Sequence, residues 1–240
     1  MSELLYEGKA KQMWSTEDEN VLRVVYMDQA TALNGKKKDV IKGKGHVNNR
    51  ISSLIFEYLI KNDIPTHFIK KISENEELVK KVKIFPLEIV TRNVAAGHFS
   101  TRYGVEEGKK FNKPVEEMYF KSDELDDPFI NESQALALEI ATKEDLNRIW
   151  DLSRKVNTLL TDLFKQAGMK LVDFKLEFGT LADGTLVLAD EFSPDNCRLW
   201  DLEDNRHLDK DVYRRDIGDL TPVYELSLIH ISEPTRHSLI

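Results

Sequence analysis

The sequence has little cysteine, no excess of basic charge and no long apolar run. Only Cys197 is present among 240 residues, which excludes an internal disulfide and a cysteine-based metal cluster. The formal net charge of -8 argues against non-specific nucleic-acid binding, which needs a basic face. The first six residues lack a signal-peptide pattern, and no stretch approaches the roughly 20 apolar residues of a membrane span. We therefore expect a cytoplasmic protein without nucleic-acid or membrane partners.

What is present is typical of a folded globular chain. Hydrophobic residues make up 41% and charged residues 32% of the sequence. A chain of 240 residues can form one large domain or two small ones. We predict an α+β protein with a β-rich N-terminal lobe (1–85) and a mixed C-terminal lobe (86–225), because a strand pattern near the boundary is broken by Pro86.

Periodicity and turn residues predict the main elements. A helix between Asn48 and Asn62 and a longer one over Lys143–Gly168 follow from apolar residues at helical spacing. Val21–Tyr26 is typical of a strand. Leu171–Phe178 and Thr185–Phe192 alternate like strands, and the Asp183-Gly184 pair between them favours a hairpin.

The predicted hairpin carries the charges that suggest chemistry. Strand alternation puts Asp173, Lys175 and Glu177 on one face, and the hairpin brings Asp190 opposite the Glu177 end. Two close carboxylates repel unless a cation neutralises them, and Mg²⁺ uses one or two carboxylates together with nucleotide phosphates. Glu177 and Asp190 are therefore the candidate metal ligands. An amphipathic strand with a solvated charged face explains the same pattern equally well.

The loop after the hairpin offers a second polar site. Asp195 and Arg198 suit a phosphate or carboxylate ligand, because guanidinium pairs well with such groups. The same two side chains would also pair with each other and fix the turn. Cys197 has no base beside it in the sequence, so we do not expect thiol chemistry.

Two weaker candidates lie near the N-terminus and the Pro86 connector. Gly8-Lys9-Ala10-Lys11 combines a flexible backbone with two ammonium groups that suit phosphate, although an exposed charged turn is the commoner outcome. Lys80 or Lys81 could reach a nucleotide phosphate, and a solvated pair of lysines is again the commoner outcome. Gly97, in a small-residue loop, would let a phosphate approach the backbone.

Two motifs carry a resemblance to a known family. Ile84–Gly97 and Leu171–Gly179 resemble the SAICAR synthetases, and the similarity extends from about Leu4 to Glu225. Shorter segments agree in order and spacing: Tyr6–Lys11, Lys42–Asn49, Asp126–Glu132, Asp190–Asp201 and Asp209–Asp211. The resemblance implies a two-lobed α+β fold related to ATP-grasp and kinase-like architectures.

The resemblance also implies an activity. SAICAR synthetases join L-aspartate to the carboxylate of 5-aminoimidazole-4-carboxyribonucleotide (CAIR) in purine biosynthesis, using Mg²⁺ and ATP. The expected intermediate is an acyl phosphate, and the products are SAICAR, ADP and phosphate. The resemblance further implies a homo-oligomer, with a dimer favoured. A kinase-like phosphotransferase and a non-catalytic nucleotide-binding protein are the alternatives.

Roles follow from the positions that match the family motifs. Those matching the ATP site are the lysines Lys9, Lys11 and Lys80, the adenine hinge Ile84, Phe85 and Leu87, and the metal contacts Glu177 and Asp190. Those matching the imidazole-nucleotide pocket are Arg92, Gly97, His98, Asp173, Lys175, Asp195 and Arg198. Those expected at the reacting centre are Lys11, Asp127 and Lys175.

The sequence departs from the family pattern in two places. His98 stands where the family usually has a serine whose hydroxyl helps to bind the nucleotide phosphate. After Glu225 the family continues an amphipathic helix, whereas residues 226–240 resemble translated sequencing-adapter sequence. We therefore expect altered substrate affinity at His98 and a non-native C-terminal tail.

Overall fold

A computed structural model describes residues 2–32, 37–220, 222–225 and 228. The first part of the chain builds an antiparallel five-stranded sheet, a separate two-stranded hairpin and one helix. In chain order these elements are β1 (Leu4–Glu7), β2 (Lys11–Ser15), β3 (Val21–Tyr26), β4 (Gln29–Ala32), β5 (Lys37–Val40), α1 (Lys44–Lys61), β6 (Phe68–Lys71) and β7 (Glu76–Lys80). The order in the larger sheet is β1-β2-β3-β7-β6, and β4 pairs with β5.

The second part builds a six-stranded antiparallel sheet and the remaining helices. Its elements are β8 (Lys83–Ile84), β9 (Leu87–Val94), α2 (Gly97–Tyr103), β10 (Lys110–Phe120), α3 (Glu132–Ala137), α4 (Lys143–Gln166), β11 (Met169–Thr180), β12 (Leu186–Ala189), β13 (Cys197–Asp201) and α5 (Asp211–Arg214). The long strand β11 is central: its first half pairs with β9 and β13, and its second half pairs with β8 and β12.

Local sequence explains where the two long helices begin. The side chains of Thr142 and Asp145 form a capping box at the start of α4, which confirms the predicted helix. Helix α1 begins four residues before the predicted Asn48, because the Asp28 carboxylate accepts hydrogen bonds from the amides of Gly43 (3.0 Å) and Gly45 (2.9 Å). That capping group comes from a distant part of the sequence and leaves no periodic pattern.

The predicted strands are confirmed, although the ends of the two hairpin strands differ from those predicted. Strand β3 has the predicted bounds, and β11 pairs with β12 as the predicted hairpin. The second hairpin strand ends at Ala189 rather than Phe192, because Asp190 turns into the left-handed region at φ 61°. Around the predicted break at Pro86, the short β8 ends at Ile84 and β9 begins at Leu87.

One large hydrophobic core unites helices and sheet. Ile55 and Phe56 of α1 belong to the same buried cluster as Leu160 and Phe164 of α4 and Phe174 of β11. A smaller core, made of Leu22, Val24, Tyr26 and Val79, lies in the five-stranded sheet. The α+β class is as predicted, and the lobe boundary at residue 85 stays a prediction.

Two further findings concern membrane-spanning helices and the C-terminal tail. Within the described residues, every helix is too short or too polar to cross a bilayer. The predicted non-native tail, 226–240, lies outside the described residues apart from Leu228.

Candidate active site

The end of the β11–β12 hairpin gathers the predicted carboxylates around one lysine. Glu177 pairs with Ala189 across the hairpin, so Asp190 comes directly beside it. The Lys175 ammonium lies 2.5 Å from Glu177 Oε1 and 3.5 Å from Asp190 Oδ2. It also lies 3.2 Å from Glu88 of β9. The charged face of β11 is therefore not a solvated surface, since the Glu177 side chain is buried.

Lys11 and Lys121 complete this cluster from two other strands. Lys11 of β2 forms an ion pair with Asp190 and lies 3.1 Å from Glu191. Lys121, which follows β10, lies 2.5 Å from Glu177 Oε2. Burial lowers the pKa of Lys11, but the carboxylates of Asp190 and Glu191 outweigh it and hold the pKa above its usual value.

The cluster as a whole suits a divalent cation and a polyphosphate. It consists of the carboxylates of Glu88, Glu177, Asp190 and Glu191 and the lysines Lys11, Lys121 and Lys175. One negative charge is in excess. Burial raises the pKa of Asp190, but the ammonium groups of Lys11 and Lys175 have the larger effect and bring the pKa below its usual value. This carboxylate is therefore ionised at neutral pH. Ionised carboxylates are donors that fit Mg²⁺.

The predicted hinge packs against the same hairpin. Ile84 pairs with Gly179 of β11, and the Phe85 amide donates to the Phe178 carbonyl at 2.9 Å. The Leu87 amide donates to the Phe85 carbonyl at 2.7 Å and closes a tight turn. A Cβ on Gly179 would lie 2.8 Å from the Lys83 carbonyl oxygen, so only glycine permits this close approach. The hinge thus lies against the strand that carries the acidic cluster.

Three predicted residues lie outside the charged cluster. Lys9 is exposed and lies 2.7 Å from Asp123, in the turn that also contains Asp127. The Asp127 carboxylate accepts from the Ser122 amide at 2.8 Å and fixes that turn. Lys80 is exposed and lines a cleft with Leu181. The structure therefore brings Lys11 into the acidic cluster and places Lys9 close enough to Glu88 for this carboxylate to help raise the lysine's pKa, but it does not bring Lys80 or Asp127 there.

A second charged network is centred on Asp173, which lies two residues before Lys175 on the same face of β11. Asp173 pairs with Arg92 of β9 on one side and with Arg198 of β13 on the other. Its carboxylate lies 2.7 Å from the Arg92 guanidinium and 2.9 Å from that of Arg198. Glu117 binds Arg92 at 2.7 Å and Asp211 binds Arg198 at 2.8 Å. The arrangement presents two oriented guanidinium groups beside the acidic cluster.

Gly97 and His98 border this second network at the start of α2. A Cβ at Gly97, whose φ is +55°, would lie 2.3 Å from Arg198 Nη2. Glycine is therefore required for the guanidinium to lie against the backbone. His98, next in sequence, is exposed on α2. Its role in binding a phosphate stays a prediction.

Asp195 does not pair with Arg198, which was one of the two interpretations of that loop. Its carboxylate binds Lys44 at 2.5 Å and accepts a hydrogen bond from the Tyr224 hydroxyl at 2.6 Å. Lys210 lies 3.6 Å away. Burial raises the pKa of Asp195, but Lys44 and Lys210 lower it well below its usual range.

Sequence patterns pointed to some of these partners but not to others. Glu88 lies at strand spacing from Arg92, and Asp211 belongs to a family-like segment, so both had a signal. Lys121 and Tyr224 had none, because each reaches the site from a distant segment of the chain.

Comparisons with known proteins agree along nearly the whole chain. The SAICAR synthetase family model matches residues 4–230. The phosphoribosylaminoimidazole-succinocarboxamide synthase of Limosilactobacillus fermentum is 60% identical over 92% of this chain and 93% of its own length. The synthase of Streptococcus thermophilus is 59% identical over 95% of this chain and 96% of its own length.

Solved structures show the same relationship. The crystal structure of the Ehrlichia chaffeensis synthase has a TM-score of 0.94 at 44% identity and covers 96% of this chain and 98% of its own. A SAICAR synthetase (Type-2) in complex with ADP has a TM-score of 0.91 at 44% identity and covers 94% and 96%. From the family match, the close relatives and the shared fold, the chain belongs to the SAICAR synthetase family.

Proposed function

We propose that this site phosphorylates the carboxylate of CAIR with ATP and then joins the activated carbonyl to L-aspartate. The family forms SAICAR at the expense of ATP in purine biosynthesis, and the chain is an ATP-dependent ligase of that family. One observation carries the proposal. Asp173, Lys175 and Glu177 share one face of β11, so the arginine network and the acidic cluster lie about 7 Å apart along the strand.

The two-step route follows from carboxylate chemistry. A carboxylate oxygen of CAIR attacks the γ-phosphorus of ATP, and the bond from that phosphorus to the ADP oxygen breaks. The aspartate amine then attacks the acyl carbon, a C–N bond forms, and the C–O bond to phosphate breaks as the nitrogen loses its proton. Lys11 and Lys175 supply positive charge beside the phosphoryl oxygens, since positioning and charge neutralisation dominate such transfers.

Glu177 and Asp190 would hold Mg²⁺ together with the ATP phosphates. The bound ion would neutralise charge on the transferred phosphoryl group. Both carboxylates now contact lysines, namely Lys175, Lys121 and Lys11, and these contacts would rearrange when phosphate arrives. Lys9 and Lys80 would move to the phosphates from their present exposed positions, and the Ile84–Leu87 hinge would receive the adenine.

The arginine network suits the imidazole nucleotide. Arg92 and Arg198 would bind the substrate's phosphate, since oriented guanidinium groups bind phosphate bidentately. Asp173 fixes both arginines, and Gly97 gives Arg198 its room. Asp195, Asp127 and His98 are proposed contacts of the same substrate or of the reacting centre, on the basis of the family motif.

The test is an assay of phosphate release by the purified chain. We expect release to need CAIR, L-aspartate, ATP and Mg²⁺ together, with SAICAR formed in equal amount. ATP hydrolysis or transfer that ignores aspartate would favour a kinase-like phosphotransferase instead. Nucleotide binding without turnover in the complete mixture would mark a non-catalytic binding protein.

The expected oligomeric state and location complete the proposal. A homodimer is predicted by the family resemblance, and light scattering at assay concentration measures it directly. A cytoplasmic location fits the use of ATP and the single buried cysteine, and cell fractionation tests it.

A further inference from the structure

The segment that carries Asp190 has an unusual backbone. Asp190 follows β12 in the left-handed region at φ 61°, which residues other than glycine adopt at an energetic cost. Such a conformation persists where surrounding contacts hold it. The direction in which the Asp190 carboxylate points depends on this backbone turn.

Three side chains hold the consecutive peptide groups of this segment. His67 Nε2 lies 3.1 Å from the Asp190 carbonyl oxygen. Asn196 Nδ2 donates to the Glu191 carbonyl at 2.6 Å, and the Phe192 amide donates to Ser52 Oγ at 3.2 Å. Two consecutive peptide groups, 190–191 and 191–192, are therefore held by side chains from three different parts of the chain.

His67 is the contact nearest to the carboxylate and is itself firmly held. Its ring is buried and packs edge-on against Phe56 with centroids 5.4 Å apart. Its amide donates to the Leu188 carbonyl at 2.8 Å, and its own carbonyl accepts from the Lys80 amide at 2.7 Å. These backbone hydrogen bonds fix the loop before β6, and the loop holds the His67 ring beside the end of β12.

The geometry also fixes the tautomer of His67. A carbonyl oxygen only accepts hydrogen bonds, so the contact with Asp190 requires a proton on Nε2. The donor contacts the backbone carbonyl and leaves the Asp190 carboxylate to its contacts with Lys11 and Lys175.

We propose that His67 is a positioning residue for the nucleotide–metal site, donating from Nε2 to the Asp190 carbonyl and thereby aiming the Asp190 carboxylate between Lys11 and Lys175. The inference rests on the proposed metal role of Asp190. It goes beyond that role because His67 contacts neither metal nor substrate. Groups that orient a metal ligand typically contribute a factor of about 10 to 100 in metal affinity.

Three variants separate positioning from packing. His67→Leu removes the donor, and His67→Gln keeps an N–H donor at nearly the position of Nε2. Phe56→Leu is the matched control, because it loosens the packing against the ring and leaves the hydrogen bond in place. Calorimetric titration with ADP is done with and without Mg²⁺, and thermal melting measures the stability of each variant.

We expect His67→Leu to weaken Mg²⁺-dependent ADP binding about tenfold, with metal-free ADP binding little changed. His67→Gln should stay within about threefold of wild type, and Phe56→Leu should lower the melting temperature without that loss. If His67→Leu weakens Mg²⁺-dependent binding no more than Phe56→Leu does, the proposal is overturned.

A second measurement does not depend on any variant folding. Nitrogen-15 NMR of the wild-type chain should show a proton on Nε2 of His67, and an Nε2 that carries no proton overturns the proposal. ADP binding that ignores Mg²⁺ in the wild type overturns it together with the metal assignment. Mg²⁺-dependent ADP binding without SAICAR formation contradicts the proposed function alone.

Discussion

The charged side chain of Glu177 is buried. Its carboxylate lies between Lys175 and Lys121, both at 2.5 Å, on the strand face that leads to the arginine network. Such a group serves the site through its negative charge, since an uncharged group of the same shape would remove a buried carboxylate that balances both Lys175 and Lys121.

Glu177→Gln keeps the shape and removes the charge. We expect kcat to fall by at least roughly 100-fold, because the variant loses a metal ligand and the balance of Lys175. Circular dichroism should show an unchanged fold. Glu116→Gln, at an exposed ion pair with Arg154, is the control and should keep wild-type activity. Normal turnover in the Glu177 variant would remove the metal assignment.

Glu77, beneath the site, is expected to make the stability of the chain depend on pH. Burial raises its pKa from 4.5 to about 8, and Tyr26 donates a hydrogen bond to its Oε1 at 3.1 Å. The folded chain therefore holds a proton that the unfolded chain has lost between these values. Its contribution to stability is fully present below pH 4.5 and is lost as pH rises through 8.

Glu77→Gln should remove this pH dependence. Between about pH 5 and 8 the wild type should lose up to about 1.4 kcal/mol of unfolding free energy per pH unit from this group, and the variant should not. Urea unfolding at several pH values measures the difference between the two proteins. Parallel stability curves for wild type and variant would contradict the raised pKa.

At the scale of elements, α2 has a glycine at each end, and the surroundings of the two glycines differ. Gly97 begins it at φ +55° and Gly104 follows it at φ +63°. A Cβ at Gly97 would meet the Arg198 guanidinium at 2.3 Å, whereas a Cβ at Gly104 would meet nothing within 4 Å. Both glycines have a left-handed backbone that an alanine would adopt with strain, and only Gly97 lies against the Arg198 guanidinium.

Gly97→Ala should therefore damage the substrate pocket, and Gly104→Ala should not. Both variants should lose about 1 to 2 kcal/mol of stability from the left-handed backbone. Only Gly97→Ala should lower kcat/KM for CAIR, by roughly 10- to 100-fold, because Arg198 is displaced. Steady-state kinetics with CAIR as the varied substrate measure it. Equal kcat/KM values in the two variants would separate Gly97 from the pocket.

For the whole molecule, the shared core predicts how the chain unfolds. Phe164 of α4 is fully buried, with its ring centroid 6.0 Å from that of Phe192, and its cluster includes residues of both predicted lobes. A core that crosses the predicted boundary at residue 85 should make the two lobes melt together.

Phe164→Ala should lower the unfolding free energy by about 3 to 5 kcal/mol while the melt stays a single transition. Differential scanning calorimetry of wild type and variant measures both quantities. The exposed Leu138, changed to alanine, is the control and should have little effect. Two separate transitions in either protein would show that the lobes are independent domains.

Elements whose signals are local can be predicted from the amino-acid sequence alone. Thr142 and the apolar spacing after it define α4, and Asp183-Gly184 between alternating strands defines the β11–β12 hairpin. Because hairpin register follows from turn and alternation, the meeting of Glu177 and Asp190 was predictable from adjacent sequence. The family resemblance added the activity.

The distant side chains that complete the site are brought together by tertiary packing. Asp173 meets Arg92 and Arg198 because β11 lies between β9 and β13 in register. Lys44 and Tyr224 meet at Asp195 although 180 residues separate them along the chain. Such pairings depend on how sheets and helices pack around one core, and local propensity contains no information about that packing.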